Sequence, residues 1–337
     1  MFTLLIALAV FAVLILAHEL GHFLVAKLVG IKVLEFSLGM GPAVWQRRKG
    51  ETLYSIRAIP IGGFNRMAGT EGEEEDDPRG FNKKTVAQRM AVIGAGSGMN
   101  FVLAFVLFLV IFMVLGLPST EPIVGHVSPN SPAEMAGIQP GDRILMVDQT
   151  EVGGWSDLVQ KIYSSPGIKL DLKLLRGSQV LDVQVVPRVD DQTQVGMIGI
   201  GPRWVRQGFW DSIVLGVKET VQITSIFIVS IVQMITGKAE PELAGPVGIV
   251  QMVGQAARYG MFNLLSFTGI LSLNLAIINL FPIPALDGSR LVFLGIEGIS
   301  GRPIDRRKEN LIHLIGFALL IVLMVIITYQ DLLKIFG

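Results

Sequence analysis

The fold is decided by the stretch Phe2-Thr-Leu-Leu-Ile-Ala-Leu-Ala-Val-Phe-Ala-Val-Leu-Ile-Leu-Ala-His18-Glu-Leu-Gly-His22. It holds no charged residue before the final His-Glu-x-x-His motif, and the chain becomes apolar again at Phe23. A helix over this segment is long enough to span a membrane. Residues four apart share a helix face, so His18 and His22 can bind one metal ion, and Glu19 can act on its water without being a ligand. The stretch predicts a zinc hydrolase site within a membrane.

Chance occurrence of this motif is the alternative to a metal site. The chain has only four histidines, so an accidental pair that is four residues apart around a glutamate is rare. Ionisable side chains in membrane spans are costly and mark functional sites. The motif in this setting therefore favours a metal site over structural histidines.

Composition sets further bounds. The 337 residues are 51% hydrophobic with a mean hydropathy of +0.57, which is typical of an integral membrane protein. The net charge of zero gives no indication of nucleic-acid binding. Because there is no cysteine, a zinc site must use histidine and carboxylate ligands. The N-terminus lacks the basic region and cleavage site of a signal peptide.

Four apolar segments are near or above the length of a membrane span, at about 2–28, 90–117, 261–286 and 312–330. A fifth run, 220–236, is shorter and contains several polar residues, so we interpret it as an interfacial helix, with a true span as the alternative.

Lysine and arginine residues predict the orientation of the spans. The loop 31–89 holds ten, the short loop 287–311 holds five, and the much longer stretch 118–260 holds eleven. The positive-inside rule places the first two in the cytoplasm and the third outside. Four spans with an extracytoplasmic N-terminus satisfy this distribution, and a fifth span would break it.

The segments combine into a mainly α polytopic membrane protein of about four transmembrane helices, with a membrane-associated β element and an inserted extracytoplasmic α+β domain. The predicted boundaries are 1–30 for the first span, 31–88 for a cytoplasmic β-rich loop, 89–118 for the second span, 119–203 for the soluble domain, 204–260 for an interfacial region, 261–288 for the third span, 289–311 for a cytoplasmic loop and 312–337 for the last span.

The two non-helical regions carry strand patterns. The loop 31–88 alternates in part over Thr52–Ile59, and Gly62-Gly63 indicates a turn or bulge. An ordinary cytoplasmic hairpin is as compatible with this pattern as a membrane-dipping element beside the active site. The acidic run 71–77 is interpreted as a solvated loop. The soluble domain is predicted to hold strands at 142–147, 170–175 and 180–186 around a helix at 156–164.

A catalytic zinc usually has three protein ligands, and the best third candidate is far away in sequence. The third span ends in Asn279-Leu-Phe-Pro282-Ile-Pro284-Ala-Leu-Asp287-Gly288. Two prolines two residues apart break a helix and free backbone groups there. At helical rise, His18 and Asp287 lie at comparable depths in spans that run in the same direction. Asp287 is therefore the predicted third ligand, with a helix-terminal residue at the membrane interface as the alternative.

The mechanism predicted from these residues is zinc-assisted hydrolysis, in which Glu19 takes a proton from water and passes it to the leaving amine. A substrate helix must unwind first, because its carbonyls are hydrogen-bonded. Asn274 and Asn279 could hold the unwound strand, and packing between helices is an equally good interpretation of both.

These motifs resemble the site-2 protease family of intramembrane zinc metalloproteases, in its bacterial regulator-of-sigma-E branch. The matching stretches are His18–His22, Tyr54–Gly63, Ala244–Ile249 and Asn279–Gly288. The resemblance implies zinc on His18, His22 and Asp287, with Glu19 catalytic. It also implies that Asn274, Asn279, Pro282 and Pro284 contact substrate, and that 31–70 is a membrane-associated β element.

The family resemblance also implies partners and a location. Substrates would be single-span proteins of the bacterial inner membrane, such as anti-sigma factors, after an upstream site-1-type protease has removed their extracytoplasmic part. Remnant signal peptides are a second expected substrate. Membrane lipid is an expected partner, and nucleic acid is not.

The soluble domain resembles a PDZ domain, a module that binds chain ends by strand addition. The carboxylate-binding loop would be Ile123-Val124-Gly125-His126, followed by the strand entry at Pro140–Leu145. His126 would then be a loop residue, and His313 an interfacial one. Some relatives carry two PDZ domains, whereas this chain has room for one. The segment 94–100 lacks a proline that the family often has.

Two other classes of function compete with a protease. A membrane-tethered PDZ adaptor would keep a vestigial or structural metal site, but such a site does not require Glu19. A metal-ion transporter would use histidine and aspartate in its spans, and it leaves the PDZ-like domain unexplained. Activity of a Glu19→Gln variant separates the protease from both.

Overall fold

The computed structural model describes residues 2–70, 76–190, 193–239, 244–302 and 305–336. The chain divides into two compact units. The first comprises Met1–Leu109 and Ile213–Gly337, and the second comprises Val110–Ser212. The predicted acidic loop is only partly described, because its residues 71–75 lie outside these ranges.

The first unit is built from long apolar helices. They are α1 (Phe2–Leu28), α2 (Val86–Val110, continued by a wider turn at Ile111–Leu115), α5 (Phe209–Ile235), α6 (Pro246–Arg258), α7 (Met261–Leu280), α8 (Asp287–Ser300) and α9 (Arg306–Phe336). Five of these helices are long and apolar enough to cross a membrane within the described residues, namely α1, α2, α5, α7 and α9. The chain is a multi-pass membrane protein.

Two predicted segments differ from the structure. The run expected at 220–236 belongs to a 27-residue helix, α5, which has the length of a span because its apolar character begins earlier, at Phe209. The loop expected at 289–311 is largely the helix α8. Its apolar residues recur at helical spacing, with Leu294 buried, and Gly301 ends the helix in a left-handed conformation.

Helices α1, α2 and α7 pack closely at small residues. Gly21 of α1 lies against the backbone of Ala95 in α2, where no side chain would fit. The hydroxyl of Ser272 in α7 donates to the backbone carbonyl of Asn100 in α2 at 2.8 Å. Small residues and buried hydroxyls let helix backbones approach in this way.

The segment predicted to hold strands forms a β-hairpin of β1 (Val33–Lys49) and β2 (Thr52–Met67). The strands pair antiparallel near the turn, from Lys49↔Thr52 to Trp45↔Ile56, and again from Val33↔Met67 to Leu38↔Gly63. The register shifts between these stretches, and Gly62 has a φ of 81°. This confirms the predicted turn or bulge at Gly62-Gly63, since such a shift needs a residue that tolerates positive φ.

The segment 244–249 begins helix α6. The carboxylate of Asp331 in α9 is buried and accepts hydrogen bonds from the backbone N–H groups of Gly245 and Gly248, at 3.3 and 2.8 Å. A carboxylate is stable at a helix N-terminus because the first N–H groups have no partner within the helix. Asp331 therefore ties the end of α9 to the start of α6.

The second unit holds most of the short strands. They are β3 (Leu117–Pro118), β4 (Val124–Val127), β5 (Arg143–Val147), β6 (Thr150–Glu151), β7 (Leu170–Arg176), β8 (Gln179–Val185), β9 (Arg188–Val189), β10 (Gly196–Met197), β11 (Ile200–Pro202) and β12 (Trp204–Val205), with helices α3 (Pro132–Met135) and α4 (Trp155–Tyr163). One sheet has the order β6-β5-β7-β8. Its core includes Ile144, Leu158, Leu170 and Leu174. The three strands and the helix predicted for this domain are present to within a residue or two.

The predicted carboxylate-binding loop at 123–126 lies at the start of strand β4, Val124–Val127, and its role in binding a chain end stays a prediction. Strand β4 pairs with β11, where Gly201 faces His126. On its other side, the Val124 N–H donates to the Asp142 carbonyl and the Val124 carbonyl accepts from the Gly141 N–H, both at 2.8 Å. The Val124 N–H is therefore used within the fold.

An ion pair between a buried carboxylate and a half-buried arginine stabilises the same unit. Asp142 is 1% exposed and accepts two hydrogen bonds of 2.8 Å from Arg176 and one of 2.8 Å from the Gln139 N–H. Burial opposes ionisation of Asp142, but these hydrogen bonds outweigh it and hold its pKa below the ordinary value.

We expect Arg176→Leu to destabilise this unit by about 1–3 kcal/mol at neutral pH, since it leaves a buried carboxylate without its charged partner. The contribution of Asp142 is present above its unfolded pKa of about 4 and is lost as the pH falls through the lower folded value. The difference from wild type should therefore shrink in acid. Hydrogen exchange of β7 and β8 in the full chain, corrected for intrinsic rates, measures it. Arg143→Leu is the matched control, because Arg143 pairs with an exposed glutamate, Glu121. An equal loss in both variants would refute the prediction.

Candidate metal centre

The structure brings together the three predicted ligands. The Nε2 atoms of His18 and His22 are 3.2 Å apart, and Asp287 Oδ2 lies 3.2 Å from the first and 3.3 Å from the second. Among the described residues, these three form the one group of histidine and carboxylate side chains that could hold a metal ion. Helix α1 supplies both imidazoles from one face, with the rings edge to face and 4.8 Å between their centroids.

Asp287 reaches the histidines because the chain is irregular between α7 and α8. Helix α7 ends at Leu280, before the two prolines, and Ala285 adopts a φ of 77°. The Ala285 N–H donates to His313 Nδ1 of α9 at 3.0 Å, which satisfies a backbone group that no helix serves. His313, whose expected position at the membrane interface stays a prediction, supports this irregular segment. Asp287 is the first residue of α8 and faces the histidines.

The donor set fits a zinc ion. Ligands at about 2.0–2.1 Å in a tetrahedron lie roughly 3.3–3.4 Å from one another, close to the three distances in this triangle. Asp287 Oδ2 is buried and has no hydrogen-bond partner among the described residues, as expected of an atom that serves as a metal ligand. Two imidazoles and one carboxylate leave a fourth position open for water or substrate.

His22 is held in the tautomer that a metal requires. Its Nδ1 lies 2.8 Å from the backbone carbonyl of Val92 in α2. A carbonyl can only accept, so Nδ1 carries the proton and Nε2 presents its lone pair to the centre of the triangle.

Glu19 is oriented by the β-hairpin. The Asn65 amide nitrogen donates to the Glu19 carboxylate at 2.6 Å and to the Glu19 carbonyl at 2.8 Å. Gly63 of the same strand lies so close that a Cβ there would be 2.8 Å from Glu19 Cγ. Sequence reasoning placed strands in this loop but missed Asn65, because its partner is 46 residues away and no local pattern marks it.

We expect Asn65→Ala to lower kcat by about 10–100-fold, because a misplaced catalytic group can cost that much. Metal content should stay at the wild-type level, since Asn65 contacts none of the three ligands. The measurement is cleavage rate and bound zinc on purified protein. Asn263→Ala, at a helix start far along the chain, is the matched control. Loss of metal in the Asn65 variant, or wild-type kcat, would contradict this role.

The structure gives the positions of the four residues that were predicted to bind substrate. Asn274 and Asn279 are half-buried on α7, and neither side chain makes a hydrogen bond among the described residues. Pro282 is exposed, and Pro284 packs against Gly316 of α9. Their contact with substrate stays a prediction.

Paired histidines on a membrane-length helix, a distant aspartate and a held glutamate define a metallopeptidase within the membrane. The sequence profile of peptidase family M50 matches residues 6–323. The chain belongs to this family.

Its relatives are similar over nearly their whole length. A protein of Clostridium acetobutylicum, named as a candidate zinc metalloprotease, is 39% identical and is aligned over 98% of this chain and 97% of its own. The zinc metalloprotease RasP of Geobacillus kaustophilus is 33% identical, and the regulator of sigma-W protease RasP of Bacillus subtilis is 31% identical, each over 97% of both chains. These two alignments span 409 and 412 positions, more than the 337 residues here, so both relatives contain insertions that this chain lacks.

Among solved structures, the PDZ domain of the SdrC-like protein of Listeria monocytogenes is similar to part of the chain. It is 20% identical, covers 23% of this chain and 82% of its own, and has a TM-score of 0.22.

Proposed function

We propose that this chain hydrolyses peptide bonds within transmembrane segments, with zinc on His18, His22 and Asp287 and with Glu19 as the general base. The observation that carries the proposal is the triangle of three ligand atoms, 3.2–3.3 Å apart, on helices of membrane-spanning length. The names of the relatives support zinc as the metal.

Each side chain at the proposed site has a separate role in hydrolysis. His18, His22 and Asp287 would hold zinc, which when bound would supply Lewis-acid chemistry to the scissile carbonyl and to water. Glu19 takes a proton from the attacking water and transfers it to the amide nitrogen of the leaving chain. Asn65 holds the Glu19 carboxylate during both transfers. Val92 keeps His22 in its binding tautomer.

Substrate must reach this site in an extended form, since a helix hides its carbonyls. Within the part of the chain that the structure describes, the stretch Gly63–Met67 pairs only with Val33–Leu38, on one side, and it runs beside Glu19. Such an edge offers backbone N–H and C=O groups to a second strand. Asn274 and Asn279 on α7, with Pro282 and Pro284 after it, would contact the substrate from the opposite wall.

Helix directions support four spans. Along α2, Val92 lies beside His22 whereas Asn100 lies beside His18, so α2 runs antiparallel to α1. Asn100 also contacts Ser272, and Phe108 lies against Gly269, so α2 runs antiparallel to α7 as well.

Helices α1 and α7 therefore run in the same direction, which requires an even number of crossings between α2 and α7. Helix α6 has only 13 residues and is too short to cross. If α5 crossed without it, the number of crossings would be odd, so α5 does not cross. With the positive-inside rule, this favours an extracytoplasmic N-terminus and PDZ-like domain in the bacterial inner membrane.

The name of the Bacillus relative, a regulator of sigma-W protease, suggests anti-sigma factors as substrates. An upstream site-1-type protease would first trim the extracytoplasmic part, and remnant signal peptides would be a second class of substrate. The PDZ-like domain would then sense new chain ends or exclude intact proteins by size. Membrane lipid would surround the helices.

The proposal is tested by reconstituting the purified chain in liposomes with a trimmed single-span protein and mapping the cut by mass spectrometry. A cut within the apolar segment, made by wild type and absent with Asp287→Asn, is the expected result. A PDZ adaptor with a vestigial site would give no cut with either protein. A transporter would give metal flux across the liposome instead.

A further inference from the structure

His18 is the one imidazole of the metal triangle without a backbone partner for its second nitrogen among the described residues. Its Nε2 faces Asp287 and His22, so Nε2 must be free of a proton to bind a metal. The proton then lies on Nδ1, and Nδ1–H needs an acceptor. The group within reach is the side-chain amide of Asn100 on α2, with its Nδ2 at 3.4 Å.

The Asn100 amide has one polar atom left over. Asn100 is 0% exposed, and its Oδ1 is buried without a hydrogen-bond partner among the described residues. An amide oxygen without a partner costs free energy in a dry interior. With Nδ2 toward the ring, Asn100 Oδ1 has no donor. The His18 imidazole would also need its proton on Nε2, the atom that faces the carboxylate. A half-turn of the amide exchanges Oδ1 and Nδ2, so that Oδ1 can accept from His18 Nδ1–H and Nε2 is left without a proton.

We propose that Asn100 is a positioning residue, whose amide oxygen accepts a hydrogen bond from His18 Nδ1–H and keeps Nε2 available to the metal. This inference rests on the proposed metal site. Asn100 then does for His18 what the Val92 carbonyl does for His22. Both partners lie on α2, eight residues apart, so one helix orients both imidazoles of another.

The position of Asn100 along α2 is itself fixed by a hydrogen bond to α7. Its backbone carbonyl accepts from the Ser272 hydroxyl of α7, the helix that leads to Asp287. The Asn100 side chain thus contacts His18 of α1 while its backbone is bonded to α7. Outer-shell partners of metal-bound histidines typically change metal affinity by about 10–100-fold when they are lost.

The test compares Asn100→Ala and Asn100→Asp in the purified full chain. Zinc affinity is measured by competition with a chelator, and the geometry of the site by the absorption spectrum of bound cobalt(II). Asn100→Ala should weaken zinc binding by about 10–100-fold and shift the cobalt spectrum. Asn100→Asp should stay within roughly threefold of wild type, because a carboxylate can accept from Nδ1–H. Ser97→Ala is the matched control, since Ser97 is equally buried on α2 and its hydroxyl has no partner among the described residues.

Each other outcome overturns the inference. Equal weakening by both Asn100 variants would mean that the amide donates to His18 rather than accepts. Wild-type affinity and spectrum in Asn100→Ala would mean that the contact is only packing, even if its unfolding temperature falls. His22→Ala separates this inference from the proposed function: if that variant binds as much metal as wild type, the proposed metal site itself is wrong. If it binds none, the Asn100 variants decide the question alone.

Discussion

Glu19→Gln should abolish cleavage while zinc stays bound. Glutamine has nearly the same shape and can still accept from Asn65, but it cannot take a proton from water. General-base catalysis contributes about 100–10,000-fold, so we expect cleavage of a single-span substrate to fall by a factor in that range. The measurement is the rate of fragment formation on a gel with reconstituted protein, together with bound zinc per chain.

The control is Glu51→Gln, a hairpin glutamate that pairs with Lys27 and Arg79 away from the metal ligands. It should leave cleavage unchanged. Equal fragments from wild type and Glu19→Gln would assign the cutting to a contaminating enzyme and would revive the adaptor. Loss of zinc along with activity would show instead that Glu19 serves the metal.

Gly96→Ala should remove the metal site with a single methyl group. A Cβ at position 96 of α2 would overlap His22 Nε2 and lie 2.7 Å from His18 Cε1. The imidazoles would have to leave the positions from which they bind. We expect metal affinity to fall by at least about 100-fold, the upper end of outer-shell effects, and cleavage to fall to background. Alanine favours a helix over glycine by about 1 kcal/mol, so weakening of α2 would not be the cause.

Two neighbouring glycines provide matched controls. A Cβ at Gly94 or Gly98 would meet nothing within 4 Å, so Gly94→Ala and Gly98→Ala should keep wild-type zinc and activity. Competition with a chelator and the cleavage assay are run on all three variants. Normal zinc affinity in Gly96→Ala would show that α2 does not lie as close to His18 and His22 as in this structure.

Much of the membrane unit could be predicted from local patterns. The pairing of His18 with His22 follows from the period of a helix, and the length of α1 follows from its uncharged run. The two prolines predicted where the third span breaks, and α7 ends at Leu280, just before them. The bulge at Gly62-Gly63 and the main strands of the soluble unit were also marked by glycine and by alternation.

Other features could not be fixed from the sequence, because an apolar pattern can fit more than one structure. The stretch 123–126 has the glycine and apolar residues of a binding loop and lies at the start of strand β4, and its binding role stays a prediction. Helices α5 and α8 were underestimated because polar residues interrupt their apolar faces. Pairing between distant strands and the length of a partly polar helix depend on contacts that a single stretch does not record.

The sequence by itself determined the chemistry of this protein, namely two imidazoles, a glutamate and a distant aspartate in segments that belong in a membrane. Only the tertiary structure decided how these groups are held. Asn65, Val92 and Asn100 contact Glu19, His22 and His18 across separations of 46, 70 and 82 residues. Residue type and local spacing set which side chains can bind a metal, whereas tautomer and orientation are set by whatever packs against them, and that is fixed only when the helices and the hairpin come together.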